Sequence, residues 1–158
     1  VPIDNLCNYD SAKEYIIQVL DVQTMIHSTL LFATAKSMLK VMDGDLLNAS
    51  KRTVQATKLS EDELVAVIVA DWSEESEDKV VLQTKDGVFL KFPYAEIPKK
   101  KKSALGVRGM KLSKDDLITN VYVMDAQNIS SIMYKEKELE FNRLKLSKRD
   151  TKGTKVRR

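Results

Sequence analysis

Four adjacent lysines, Lys99-Lys100-Lys101-Lys102, form the sharpest chemical feature of this 158-residue chain. Their ammonium groups repel one another, so a loop that keeps them without neighbouring acids is suited to meet phosphate, the alternative being a merely solvated loop. Arg108 lies between Gly106 and Gly109, where a backbone can come close and a guanidinium can fork onto a phosphate. A salt bridge to Asp115 or Asp116 is the competing reading, and the two are compatible. Other reactive groups are scarce. A Ser/His/Asp arrangement would have to use His27, the sole imidazole, and a lone histidine in an apolar strand reads as core or rim. Cys7 stands by itself, so it makes no internal disulfide, and with one histidine no usual zinc site can be assembled. It reads as a small buried residue at a strand end. The glycines Gly44, Gly87, Gly106, Gly109 and Gly153 are dispersed, and no Gly-x-x-x-x-Gly-Lys-Ser/Thr phosphate loop occurs, which argues against an ATPase.

The elements that must carry these side chains belong to an ordinary globular composition, 43% hydrophobic and 31% charged. No window approaches the roughly 20 apolar residues of a membrane-spanning helix, and Val1-Pro2-Ile3-Asp4 does not read as a secretory leader, so a soluble, unexported chain is expected. The net charge of +3 hides an asymmetry. Nine acids stand between Ser60 and Asp86 against Lys79 and Lys85, whereas Arg143 to Arg158 hold eight bases against Asp150. A polyanionic partner on one surface is the implication.

The chain also repeats itself. Leu30 to Lys40 aligns with Val80 to Lys91, each an apolar strand, a polar turn and a second strand, and Lys58-Leu59-Ser60-Glu61-Asp62-Glu63-Leu64 aligns with Lys111-Leu112-Ser113-Lys114-Asp115-Asp116-Leu117. The unit is about 50 residues long. Unit boundaries near 1–22, 23–72, 73–125 and 126–158 follow, the first closing an earlier copy and the last a weaker one that starts at Ser131 and turns at Lys135 to Glu138. Strands are expected at Tyr15–Val22, Thr29–Thr34, Leu64–Ala70, Val80–Thr84, Val88–Phe92 and Leu117–Met124, where Val, Ile, Leu, Phe and Thr concentrate. Asp86-Gly87 is a strong hairpin signal and Asp43-Gly44 a comparable turn signal. Between Asp10 and Leu20 the apolar spacing also allows a short helix. An all-β chain of blade-like hairpins, stacked as in a propeller or solenoid, is the expected fold. Asp71 to Asp78 reads as an acidic inter-unit loop with Trp72 covering a blade rim. Because Glu61-Asp62-Glu63 and Asp115-Asp116 recur at the same place, they read as a repeated turn or blade-edge device, not as a metal or acid/base pair.

Gly106-Val107-Arg108-Gly109-Met110-Lys111-Leu112, followed by Asp115-Asp116-Leu117-Ile118, resembles the C-terminal repeat of the A-type subunits of bacterial DNA gyrase and topoisomerase IV. Thr84-Lys85-Asp86-Gly87, Phe92-Pro93 and Glu96-Ile97 fit the same repeat in the same order. The first unit matches less closely, with Ser37 at the turn glycine and Thr53-Val54-Gln55-Ala56 in place of the glycine-arginine segment; Lys152-Gly153-Thr154-Lys155-Val156-Arg157-Arg158 is similar again. The resemblance implies a β-pinwheel, here about three blades of a larger disc, whose basic perimeter holds and bends duplex DNA largely without regard to sequence.

Carried over by position, the DNA contacts would be Lys36, Lys40, Lys51, Arg52, Lys91, Lys99, Lys100, Lys101, Lys102, Arg108 and Lys111, extended by Lys148, Arg149, Lys152, Lys155, Arg157 and Arg158. The resemblance implies no catalytic residue, cofactor or metal in this domain. Its parent would be an ATP-dependent type II topoisomerase of the bacterial cytoplasm, with ATP and Mg2+ used in other domains or subunits. Its partners would be the remaining domains of the same A-type polypeptide and the B-type polypeptide that carries the ATPase. The five tyrosines, Tyr9, Tyr15, Tyr94, Tyr122 and Tyr134, lack the arginine-tyrosine context of the strand-cleaving residue. The glutamine-, arginine- and glycine-rich box of gyrase is missing, which favours the topoisomerase IV type. A propeller-like protein-interaction module using the acidic loop is the alternative function. RNA binding ranks below it, since few aromatics interleave with the bases.

Overall fold

The computed structural model describes residues 10–50, 53–125 and 131–157. The protein is all-β there, apart from one short helix and three 3-10 turns. Helix α1 spans Val22–Ile26. The strands are β1 (Thr29–Thr34), β2 (Met38–Asp43), β3 (Leu64–Val69), β4 (Lys79–Thr84), β5 (Val88–Pro93), β6 (Val107–Arg108), β7 (Ile118–Met124), β8 (Ser131–Tyr134), β9 (Lys137–Glu140) and β10 (Thr154–Lys155). They form two four-stranded blades, ordered β3-β1-β2-β6 and β7-β4-β5-β10, and a two-stranded sheet β8-β9. All named pairings are antiparallel. The fourth strand of each blade comes from later in the chain: Arg108 pairs opposite Met38, and Lys155 opposite Val88.

The apolar runs explain the stacking. Every residue of β1, Thr-Leu-Leu-Phe-Ala-Thr, is buried, so this strand reads as a continuous apolar run because both of its faces are covered. Successive side chains point to opposite faces. One set, Leu31, Ala33, Leu39 and Val41, meets Val80, Leu82, Leu90 and Phe92 of the second blade in the main core, which Tyr94, Ile97, Met110 and Ile118 complete. The opposite face of the second blade packs Val81 and Phe89 against Leu139 and Phe141. The opposite face of the first blade packs Leu30, Phe32 and Met42 against Leu20, Met25, Leu47 and Val67. The two blades are thus layered face to face, and β9 with the turn after it covers the far side of the second.

The hairpin turns show how one device is repeated with different residues. Thr84 accepts from Gly87 N–H through its carbonyl (3.1 Å) and from Val88 N–H through its hydroxyl (3.1 Å). Gly87 takes the left-handed conformation, φ 82°, as the turn requires. In the first blade Thr34 does the same for Ser37 and Met38, and Ser37 adopts φ 68°. Ser37 is held in that conformation by its neighbours, since its carbonyl accepts from Gly109 N–H (2.7 Å) and its hydroxyl from Met110 N–H (2.8 Å). The third hairpin turns on two residues, Lys135 and Glu136, both at positive φ, with Tyr134 opposite Lys137, so the turn is tighter than the expected Lys135 to Glu138.

Each blade also clamps its turn with a carboxylate. Asp62 Oδ1 accepts from Lys36 and Glu63 N–H, and Asp116 Oδ1 accepts from Asp86 and Leu117 N–H. The preceding residues, Glu61 and Asp115, sit at positive φ. The recurrent acids are therefore a turn device.

Three expectations are corrected. Tyr15–Val22 is not a strand: Val22 opens α1, capped by Asp21, whose Oδ1 accepts from Thr24 N–H at 2.8 Å. Leu20 packs beneath the first blade while Tyr15, Ile16 and Val19 are exposed, and among the described residues no strand pairs with this segment, which reaches β3 through the Gln18 side chain, donating to Val67 O at 3.2 Å. His27 is exposed at the C-terminal end of α1 and not in a strand. Trp72 is more than a rim cover, since it packs on the main core and its indole N–H donates to Tyr94 O at 3.2 Å. Asp43-Gly44 does turn the chain, into a 3-10 turn at Gly44–Leu47. Cys7 and Tyr9 lie outside the described residues.

Asp116 is 4% exposed, so its removal would strand two amide donors. Asp116→Ala is expected to cost about 2 kcal/mol in urea unfolding, with Asp62→Ala, at the more open copy of the same turn, costing less.

Candidate nucleic-acid interface

The bases are positioned by two arches that spring from the outer edges of the blades. After β5 and the buried Ile97, the chain docks on β2: Lys99 bridges Val41 in parallel, and Lys100 N–H donates to Val41 O at 2.7 Å. It swings out and returns as β6, where Val107 pairs opposite Leu39. Gly106 lets the return leg lie against the Leu39 backbone, which a Cβ there would strike. Lys100, Lys101 and Lys102 are exposed on this first arch, and among the described residues no carboxylate comes within salt-bridge distance of them. Lys99 is also exposed, but its ammonium is held by Asp43 at 2.9 Å and lies 5.8 Å from the centre of the Trp72 ring.

The second arch repeats the geometry. Leu146 bridges Lys91, Ser147 N–H donates to Lys91 O at 2.8 Å, and the chain returns as β10 with Thr154 opposite Phe89. Once these registers align the units, a pattern missed in the unaligned sequence emerges. Lys101-Lys102 of the first arch and Lys148-Arg149 of the second occupy the same place, and Lys51-Arg52 stands at the matching step of the preceding unit in sequence. Ser-Lys-Arg itself recurs at 50–52 and 147–149.

Arg108 and its neighbours join the two arches. Its guanidinium pairs with Asp150, through Nε and, at 3.3 Å, through Nη2. The expected partners were Asp115 and Asp116, but the Asp116 carboxylate clamps the turn, where Asp115 takes the positive-φ position. Arg149 is half-buried: its Nε donates to Glu96 O and its Nη1 to Arg108 O, while its own N–H donates to Glu96 Oε1. The charges of Lys111 and Arg149 also act on Asp150. The return leg of the first arch therefore touches the second arch, and one carboxylate sits among three bases. Hydrogen bonding from Arg108 holds the Asp150 carboxyl below its ordinary value and raises the guanidinium in return.

Lys36 is exposed on the first hairpin turn; Lys111, Lys148, Lys152, Lys155 and Arg157 are exposed as well, Lys155 at the register place that Arg108 holds one blade earlier. Two of the residues expected on the perimeter are not there. Lys40 is 1% and Lys91 6% exposed. Both belong to inner strands covered on two faces, where a cation is kept only by finding carbonyls. Lys91 Nζ donates to Phe141 O at 2.9 Å, and the three N–H donors of Lys40 Nζ are shared among four carbonyls of the loops around it. Burial lowers the pKa of both, with the Lys79 charge adding to the effect at Lys91. Lys51, Arg52 and Arg158 lie outside the described residues.

Comparison with known proteins agrees with this architecture. The family described as "DNA gyrase C-terminal domain, beta-propeller" matches residues 28–71 and 78–123, more than half of the chain. The DNA gyrase A protein of Chlamydia pneumoniae is 30% identical over 120 residues, which cover 73% of this chain and 14% of that protein. A crystal structure of the C-terminal domain of DNA topoisomerase IV superposes with a TM-score of 0.83 at 21% identity, over 98% of this chain and 49% of that one. The DNA gyrase A C-terminal domain gives a TM-score of 0.74 at 22% identity, over 96% of this chain and 51% of that one. The E. coli ParC C-terminal domain gives 0.68 at 19%, over 84% and 57%. The chain thus spans a small part of the gyrase A protein and about half of the solved domains, and relatives of both enzyme types are among them.

The Arg108–Asp150 pair has a pH signature. A carboxylate whose folded pKa is depressed contributes stability that is present above its unfolded value, about 4, and is lost as pH falls through the folded value. The urea midpoint of Asp150→Asn is expected to fall below that of the unsubstituted chain at neutral pH, with the gap closing below about pH 4. Coincident midpoints throughout would show that the pair contributes nothing.

Proposed function

We propose, from the premise that this chain belongs to the DNA gyrase C-terminal domain family, that it holds and bends duplex DNA along the arches and catalyses no step itself. The observation that carries this reading is the recurrence of paired bases at one place in successive units, Lys51-Arg52, Lys101-Lys102 and Lys148-Arg149. Bases repeated in step with the blades present cations at intervals along one edge, as a polyanion following that edge requires. Phosphate contacts position a duplex without reading its bases, so the output is shape and bending, largely independent of sequence.

In the whole enzyme the domain would deliver a duplex to the strand-passing part of its own A-type polypeptide, with ATP and Mg2+ used elsewhere in that polypeptide or by the B-type partner that carries the ATPase. This assigns it to the bacterial cytoplasm, on the chromosome. No helix among the described residues is long and apolar enough to cross a membrane. The contacts are Lys36, Lys99 to Lys102, Arg108, Lys111, Lys148, Arg149, Lys152, Lys155 and Arg157, joined by Lys51, Arg52 and Arg158 from the sequence. Lys99, Arg108 and Arg149 contribute less than free cations, since each is already engaged within the chain. Lys40 and Lys91 make no direct contact.

With six to eight phosphates neutralised, log K for a short random-sequence duplex is expected to fall against log salt with a slope of about −5 to −7, and replacing Lys99 to Lys102 by alanine to reduce its steepness by about 3. Fluorescence anisotropy between roughly 50 and 300 mM salt measures both. Absence of binding at the lowest salt would remove the reading for this chain and leave the protein-interaction module.

A further inference from the structure

The first arch is built around a buried cation. Lys40 lies on β2 between Leu39 and Val41, the two residues at which the arch is anchored. Its side chain runs beneath the arch, with the ammonium 5.4 Å from the centre of the Phe32 ring. Nζ meets Lys101 O at 3.3 Å, Lys102 O at 3.0 Å and Ala104 O at 3.3 Å. A fourth carbonyl, Ala56 O at 3.0 Å, comes from the segment that follows Lys51-Arg52. Among the described residues no carboxylate forms an ion pair with it. Its charge is compensated by peptide dipoles.

The blade itself does not call for a cation there. Leu90 occupies the same register position in the second blade, opposite Leu82 as Lys40 is opposite Phe32. The arch above Leu90 carries fewer bases and is tied down by Arg149 to Glu96 and to the Arg108 carbonyl. The arch above Lys40 must hold four side chains of like charge. Carbonyls drawn inward onto one ammonium turn the side chains of Lys101 and Lys102 outward, and both are exposed.

We infer that Lys40 is a positioning residue for polyanion binding: by gathering three carbonyls of the first arch and that of Ala56, it presents Lys100, Lys101 and Lys102 together to the phosphates of one duplex. This rests on the proposal that the arch binds DNA. Preorganisation is the physical gain, since a loop already ordered loses less freedom when its side chains are immobilised on a ligand.

The test is a double-mutant cycle on the full chain with a random-sequence duplex. Lys40→Met keeps the apolar stem and removes the charge; Lys40→Leu, the side chain found at Leu90, serves if the methionine variant does not fold. Either is expected to bind about tenfold more weakly at fixed salt, as the ordering of a few side chains would cost, and to lose nothing further when Lys99 to Lys102 are already alanine. An equal loss in both backgrounds, or no loss, overturns the inference. Limited trypsin digestion with the cuts mapped by mass spectrometry separates the two claims. Cleavage after Lys100 to Lys102 is expected to accelerate about tenfold in the Lys40 variants as the arch opens. Unchanged cleavage overturns the positioning role whatever the DNA result. Failure of the unsubstituted chain to bind DNA, with faster cleavage in the variants, overturns the proposed function and leaves the holding of the arch intact.

Discussion

The return of the chain to the blade it has already left is the constraint on which the rest of the structure depends. Two residue pairs carry it in each case, Leu39 with Val107 and Met38 with Arg108 in the first blade, Phe89 with Thr154 and Val88 with Lys155 in the second. These short pairings cover the β2 and β5 edges, which would otherwise present unpaired amides. They also fix where the intervening segment can go. A chain that docks at Val41 and must be back at Leu39 has only an outward arch available, so its side chains are delivered to the periphery.

Burial on both faces of the inner strands then decides which bases reach that periphery. Lys40 and Lys91 are lysines like those of the arches, but each sits in a strand packed on either side. A buried ammonium is tolerated only where carbonyls replace its hydration. In both cases the carbonyls come from the segments that follow in the chain, Phe141 for Lys91 and the arch for Lys40. The two lysines consequently act as internal ties between successive units. The turn carboxylates Asp62 and Asp116 act within a blade, each holding a hairpin tip to the segment that leads into the outer strand. A few charges are thus spent on internal ties, while the bases of the arches are left largely to face solvent.

Asp150 illustrates the balance. It is the lone acid among eight bases in the last 16 residues of the sequence, and it is placed between Arg108, Lys111 and Arg149 where the arches meet. One carboxylate relieves part of the repulsion among three cations while leaving a net positive edge, so the arches can adjoin and still attract a polyanion.

The repeat, the all-β class and the hairpin tips were legible in the sequence, because strand runs, turn residues and recurring motifs are local properties of a chain that each unit expresses again. Thr29–Thr34 coincides with its expected strand, and β3, β4, β5 and β7 each differ from theirs by one residue at one end. The segment Tyr15–Val22 was not legible, since a strand is defined by its partner and apolar composition alone does not supply one. Position along the sequence also could not separate Lys40 from Lys101: both are lysines near a strand in a basic chain, and only the stacking of blades puts one beneath the arch and the other on it. By itself the sequence determined the unit, its turns and its charge. The tertiary structure decided which charges are buried as ties and which are exposed as an edge, because burial depends on the faces that neighbouring units cover and on the carbonyls they bring within reach.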